Sequence, residues 1–193
     1  MDSKNNKIKS YTDIVGWFDF QDIYDLAVEK AMDGDNFLEV GCFMGKSTSY
    51  LFEKIEKSGK KIKVWVIDIF EAECEHHNDL IKENGGGTLL QIFDNNMWEF
   101  GYCPIKLIGK SEDMVDKLND GLFSMIFIDA AHDYKSVKAD LNNFYPKLKS
   151  GGIFAGHDYG EKSCGVGQAV DEFVKENNLK LDVMTASWIL IKP

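Results

Sequence analysis

Apolar runs of strand length alternate with amphipathic helical patterns along nearly the whole chain, and this alternation restricts the fold more than any single motif. Asp19 to Met32 carries Ile23, Leu26, Ala27 and Met32 at helical spacing. Phe37 to Val40 reads as a short buried strand, Ser47 to Ser58 as a helix stopped by Gly59, and Ile62 to Ile69 as a β-branched second strand. Glu71 to Gly87 is polar, ends in three glycines, and reads as a long loop with at most a helical turn. Thr88 to Phe100 follows as a helix, Ile105 to Ile108 as a third strand, Ser111 to Leu118 as a short helix and Phe123 to Asp129 as a fourth strand. Lys135 to Leu148 is expected to be a helix ended by Gly151-Gly152, and Ile153 to Ala155 a fifth strand. Gly167 to Asn177 is read as the last helix, and Leu181 to Met184 with Trp188 to Ile191 as a closing hairpin. Strands and helices in this order predict an α/β fold, a Rossmann-like three-layer sandwich with a mostly parallel sheet between helices.

A chain of 193 residues suits one domain with a real core. Residues 1–10 read as a flexible N-terminal tail and 11–193 as a single domain. The tail lacks the apolar stretch of a signal peptide, and no run of 18 apolar residues occurs. A soluble, cytoplasmic protein without membrane contact is the expectation. A net charge of −10 with scattered basic residues argues against nucleic acid, whose binding begins with phosphate neutralisation. Cys42, Cys74, Cys103 and Cys164 show no metal-site spacing and read as free thiols. Cys74-Glu75-His76-His77 has no second cluster to complete a zinc site and reads as a solvated loop.

Phe37-Leu38-Glu39-Val40-Gly41-Cys42-Phe43-Met44-Gly45-Lys46-Ser47-Thr48 is a strand, a glycine turn and a helix start. A P-loop requires four residues between its glycines, but only Cys42, Phe43 and Met44 separate Gly41 from Gly45. A dinucleotide fingerprint requires a middle glycine for the pyrophosphate, and Phe43 stands there instead. S-adenosylmethionine (SAM) carries no phosphate. Its α-ammonium and sulfonium suit an acid at the first strand end, Glu39, and its ribose suits an acceptor at the second, Asp68. In a parallel sheet ligands bind beyond the carboxyl ends of the strands, so Glu39, Asp68, Asp129, His157 and Asp158 are expected on one rim. Three uses of the turn stay open at this point: SAM with methyl transfer, SAM or nucleotide binding without transfer, and dinucleotide oxidoreduction.

Beyond the turn, the chain carries Gly16-Trp17-Phe18, then Phe127-Ile128-Asp129-Ala130-Ala131-His132-Asp133-Tyr134. Pro146-Lys147-Leu148-Lys149-Ser150-Gly151-Gly152, Gly156-His157-Asp158-Tyr159 and Gly165-Val166-Gly167-Gln168-Ala169-Val170-Asp171-Glu172-Phe173 follow in order. With these motifs, from about Tyr11 to Ile191, the chain resembles the class I SAM-dependent methyltransferases, and among them the small single-domain type called methyltransferase family 24. The resemblance implies a seven-stranded sheet with an antiparallel last strand. It implies that Glu39 and Gly41 line the methionine part of SAM, with Gly45 turning the chain into the helix at the cofactor site, that Asp68 takes the ribose, Ser111 and Glu112 flank the adenine, and Asp129 lies near the sulfonium. Ala130 departs from the glycine that the family often has after the acid.

The expected reaction is O-methylation of a small-molecule hydroxyl, a sugar or a phenol. The hydroxyl must lose a proton, through a base or a metal. Asp129, His132 and His157 are the catalytic candidates, the histidines as bases. Asp129, His157 and Asp158 are the candidate ligands for a divalent metal, magnesium or manganese, with His157 favouring manganese. His76 and His77 lie in the long loop expected to border the cofactor as a lid. Trp17, Phe18 and Tyr24 are candidates for an apolar wall. The first helix offers a surface for a homodimer.

Overall fold

The computed structural model describes residues 10–72, 74–160 and 165–193. Cys164 and nearly all of the proposed 1–10 tail lie outside the described residues.

Seven strands form one sheet: β1 (Asn36–Val40), β2 (Lys63–Asp68), β3 (Ile105–Ile108), β4 (Phe123–Ile128), β5 (Leu148–Gly156), β6 (Asp182–Met184) and β7 (Ser187–Ile191). Their order across the sheet is β3-β2-β1-β4-β5-β7-β6. The first five strands run parallel, and β7 inserts antiparallel to both β5 and β6. The expected α/β, Rossmann-like architecture with an antiparallel last strand is therefore the one observed.

Among the described residues seven α-helices cover the faces: α1 (Gln21–Lys30), α2 (Lys46–Ser58), α3 (Glu75–Glu83), α4 (Leu89–Phe100), α5 (Ser111–Met114), α6 (Tyr134–Phe144) and α7 (Val166–Glu176). Alternate residues of a strand point to opposite faces. Phe37, Val66, Phe127 and Ala155 accordingly pack with residues of α1, α2 and α4, such as Ile23, Leu51 and Phe93. Leu38, Val40, Ile126 and Phe154 pack on the other side with residues of α5, α6 and α7, such as Met114, Leu141 and Phe173. None of the helices among the described residues is long and apolar enough to cross a membrane.

Two elements differ from the sequence-based expectation. The stretch from Glu71 to Gly87 contains the nine-residue helix α3, where a loop was predicted. Its turns are held by local bonds, including Asn84 N–H to the Leu80 carbonyl, and Leu80 and Ile81 pack against the core. Only these two adjacent apolar residues mark it in the sequence, too few for a readable stripe. The helix expected to run to Leu148 stops at Phe144, and a 3-10 turn Tyr145–Lys147 follows. Pro146 cannot donate to the α-helical ladder. Gly151 and Gly152, read as a helix stop, instead lie within β5 beside its register shift against β4.

Candidate active site

Backbone contacts between strand tips build the site. Gly41 leaves β1 with a left-handed φ of 86°, and a Cβ there would lie 2.0 Å from the Asp129 carbonyl oxygen. Only glycine fits both constraints. Gly45, also at φ 86°, caps α2, and Met97 and Phe93 of α4 occupy the space that a Cβ would need. Asn96 of α4 donates from Nδ2 to the Met44 carbonyl at 2.8 Å, which pins the turn from below.

Behind the turn sits Glu39. Strand alternation places it on the same face as Phe37, inside the core, and it is 1% exposed. Its carboxylate accepts from Tyr24 (2.8 Å), Ser47 (2.5 Å) and Thr48 (2.5 Å) hydroxyls. Burial raises its pKa to about 7, against the lowering effect of these donors. Glu39 thus ties α1 and the first turn of α2 to β1, and its side chain does not line the cavity beyond the turn. Gly45 likewise shapes the turn without lining the cavity.

That cavity has a volume of about 690 Å³ and spans the tips of the parallel strands. This lies within the ordinary range for small-molecule and cofactor sites. Gly41, Phe43, Lys46 and Ser47 come from the β1–α2 turn, Asp68 from β2, and Lys110, Ser111 and Glu112 from the segment after β3. Asp129, His132, His157 and Asp158 close the other end, and Trp17 and His77 lie along the rim. Phe43 (φ 46°) and Asp158 (φ 59°) hold left-handed backbone conformations, uncommon for residues with side chains. Trp17 meets His76, His77 and Phe43 with ring centroids 5.7, 6.3 and 6.1 Å apart. Phe18 and Tyr24, the other candidates for an apolar wall, pack in the core cluster instead.

Asp68 has both carboxylate oxygens engaged by backbone. Oδ2 accepts from Cys42 N–H (2.8 Å) and Phe43 N–H (3.0 Å), and Oδ1 from Phe70 N–H (2.7 Å). A carboxylate has about four lone-pair positions, so Oδ1 retains capacity for one more donor.

The opposite end is a chain of alternating acids and imidazoles. His132 Nε2 lies 2.9 Å from Asp158 Oδ2 and 3.6 Å from Asp129 Oδ1. His157 Nδ1 faces Asp158 Oδ1 at 3.3 Å, and its Nε2 faces Asp19 Oδ1 at 2.8 Å. Hydrogen bonding to Asp129 and then to Asp158 raises His132 to about 10, with the charges of both acids adding to the effect and burial opposing it. Burial disfavours the charged form of His157, but Asp158, Asp129 and Asp19 outweigh it and lift the ring to about 9. His132 and His157 hold the Asp158 carboxyl well below the usual carboxylate range. These raised values favour the protonated form of both imidazoles at neutral pH. Bases they become only when that proton is displaced.

One donor atom each from Asp129, His132 and Asp158 fall within 4.8 Å of one another, close enough to share a metal ion. His157, expected as a ligand with Asp129 and Asp158, is not in this group, and its nitrogens face Asp158 and Asp19. The structure brings in three residues that sequence reasoning passed over. Asp19 reads only as the start of the first helical pattern, although α1 begins at Gln21, and nothing in the sequence marks it as a site residue. Lys46 opens the helix after the turn, and its Nζ donates to the Gly16 carbonyl at 3.0 Å. Asp140 of α6 lines the cavity near Ser111. It occupies the Val137, Leu141, Phe144 stripe, and an acid at a stripe position is a readable signal.

The model of methyltransferase family 24, described as a methyltransferase domain, matches residues 38–159. Among solved structures, the O-methyltransferase NovP superposes with a TM-score of 0.68 at 18% identity, over 89% of this chain and 78% of NovP. A SAM-dependent O-methyltransferase from Thermotoga maritima gives 0.60 at 15% identity, over 93% of this chain and 68% of that one. The S-adenosylhomocysteine-bound methyltransferase PaMTH1 of Podospora anserina gives 0.60 at 12%, over 94% and 91%. At these identities the likeness is one of fold. No curated protein sequence matches the chain.

Proposed function

The chain belongs to methyltransferase family 24 and is a SAM-dependent methyltransferase; from that premise we propose that it methylates a hydroxyl group of a small molecule, a sugar or a phenol, with the help of a divalent cation. The observation that carries the reading is the meeting of Asp129, His132 and Asp158 at one end of a cofactor-sized cavity. The names of NovP and of the Thermotoga protein as O-methyltransferases support the choice of oxygen as acceptor.

The residues fit SAM. Asp68 Oδ1 has a free lone pair for a ribose hydroxyl, Gly41 lets the ligand approach the backbone, and Lys46 and Ser47 suit the methionine carboxylate at the start of α2. Ser111 and Glu112 border the adenine end. Glu39 acts from behind the turn, as its support. Methyl transfer is an in-line displacement in which the acceptor oxygen gains the methyl and the methyl–sulfur bond breaks. The protein has to align the three centres and exclude water.

The residues also fit a cation. Two carboxylates with one imidazole suit manganese, iron or zinc better than magnesium. A bound divalent cation supplies Lewis acidity that lowers the pKa of a coordinated hydroxyl. Asp129, His132 and Asp158 would hold it, and His157 would orient Asp158 through its Nδ1. A general base made of His132 or His157 alone is the weaker reading, since both are held protonated near neutral pH.

We place the activity in a single domain, residues 11–193, acting in the cytoplasm. Cys42, Cys74 and Cys103 as free thiols support a reducing compartment. A homodimer through α1 stays part of the proposal. The test is methyl transfer from labelled SAM to panels of sugars and phenols, with and without EDTA. Activity lost in EDTA and restored by manganese is the expected result; full activity in EDTA removes the cation from the reading.

A further inference from the structure

α6 carries a carboxylate where its packing calls for an apolar residue. Val137, Asp140, Leu141 and Phe144 form the buried side of this helix, and Asp140 is 3% exposed. Ser111 donates to its Oδ1 at 2.6 Å. Neither a lysine nor a histidine pairs with it among the described residues. Nearby charge is of the wrong sign: burial first, then Glu112 and Asp133, raise the Asp140 pKa to about 6 against the lowering effect of Ser111. A buried carboxylate with one neutral donor is costly. A serine or asparagine would tie α6 to Ser111 at less cost. What distinguishes an acid here is the surface it lines. Asp140 borders the cavity beside Ser111 and Glu112, at the end remote from the His132 cluster.

The reactive end is at the tips of β4 and β5, so the donor's methyl belongs there. Lys46 and Ser47 at the start of α2 suit the methionine carboxylate. The adenosyl arm then extends past Asp68 toward the segment after β3, and the base ends where Asp140 faces the cavity. Adenine presents an exocyclic amino donor; hypoxanthine presents a carbonyl acceptor at the same position. We infer that Asp140 reads the base of the methyl donor by accepting a hydrogen bond from the adenine amino group, which makes α6 a determinant of purine specificity. This rests on the SAM reading given above.

The test is calorimetric and needs no turnover. Binding of S-adenosylhomocysteine and of its inosine analogue, S-inosylhomocysteine, is measured on the wild-type protein and on Asp140→Asn. The wild type should prefer the adenine ligand by on the order of tenfold or more, since a carboxylate attracts the amino group and repels the carbonyl. An asparagine amide can donate or accept, so the preference should fall to within about threefold in Asp140→Asn. Equal wild-type affinities for the two ligands overturn the inference without any variant, so poor folding of Asp140→Asn cannot shield it. A preference that survives in a folded Asp140→Asn also overturns it. Wild-type protein that binds neither ligand refutes the SAM reading itself, which distinguishes the two failures.

Discussion

Asp19 Oδ1 and His157 Nε2 lie 2.8 Å apart although 138 positions separate them in the chain. The segment before α1 thereby reaches the tip of β5 and occupies one nitrogen of an imidazole whose other nitrogen faces Asp158. Asp19→Asn removes one of three negative charges that hold His157 protonated. The His157 pKa should fall below about 9 while staying above its ordinary value, because Asp158 and Asp129 persist. NMR titration of the ring resonances checks this, and methyl transfer should drop by about tenfold through loss of orientation. An unchanged titration would show that Asp19 exerts no hold on the ring.

Gly41→Ala forces a side chain into a left-handed backbone position and against the Asp129 carbonyl oxygen. Strand tips β1 and β4 would have to separate. A loss of roughly 2–4 kcal/mol is expected, from backbone strain and overpacking together. Urea unfolding measures it. A wild-type midpoint would mean that the tips are looser than their hydrogen bond, Asp129 N–H to the Val40 carbonyl at 2.8 Å, indicates.

Glu39 should make the protein less stable as pH rises. Its folded pKa of about 7 lies above the ordinary value of 4.5, so the folded state binds the proton more tightly than the unfolded chain. The stabilisation is complete below about 4.5 and is lost as pH climbs through 7. Its full extent is at most about 3 kcal/mol. Glu39→Gln should abolish this component, so the difference between variant and wild type should change between pH 5 and 8 and level off above that range. Parallel stability curves across the window would place the proton elsewhere.

His132→Ala should weaken manganese binding by at least about tenfold, with a smaller effect from His157→Ala. Electron paramagnetic resonance of titrated manganese reads the affinity without a methyl acceptor. The reverse ranking would favour His157 as the ligand, as the sequence had suggested.

Asp68→Ala should impair two measurements together. Three backbone N–H groups, of Cys42, Phe43 and Phe70, lose their acceptor, costing about 1–3 kcal/mol of stability. SAM affinity should fall by more than tenfold as a ribose acceptor disappears and the turn loosens. Loss of stability with intact SAM affinity would confine Asp68 to holding the turn.

The central strands were readable because they are largely apolar runs, as in residues 64–67 and 125–128, and their tips follow from where the runs end, as at Asp68 and Asp129. Residues that act by position in space were not. Glu39 reads as a rim acid, yet alternation from Phe37 turns it into the core, and only the hydroxyls of Tyr24, Ser47 and Thr48 make that tolerable. His157 reads as a ligand by neighbourhood with Asp158, but the sequence does not show that Asp19, far away in the chain, lies against its Nε2. Gly151-Gly152 reads as a helix stop because glycine pairs serve both helix ends and irregular strands. Only the pairing of β5 with β4 and β7 separates the two.

β4 lies between β1 and β5, and its partners come from opposite ends of the chain. Asp129 therefore meets Asp158 only after β5 has docked, and His157 meets Asp19 only after the segment before α1 has closed over both. Such long-range closures are slow relative to local helix formation. The acid–imidazole chain consequently exists only where both closures have been made. A chain lacking either closure would lack the arrangement that the proposed cation requires, so on that proposal the activation of a hydroxyl would wait for the structure that confines it.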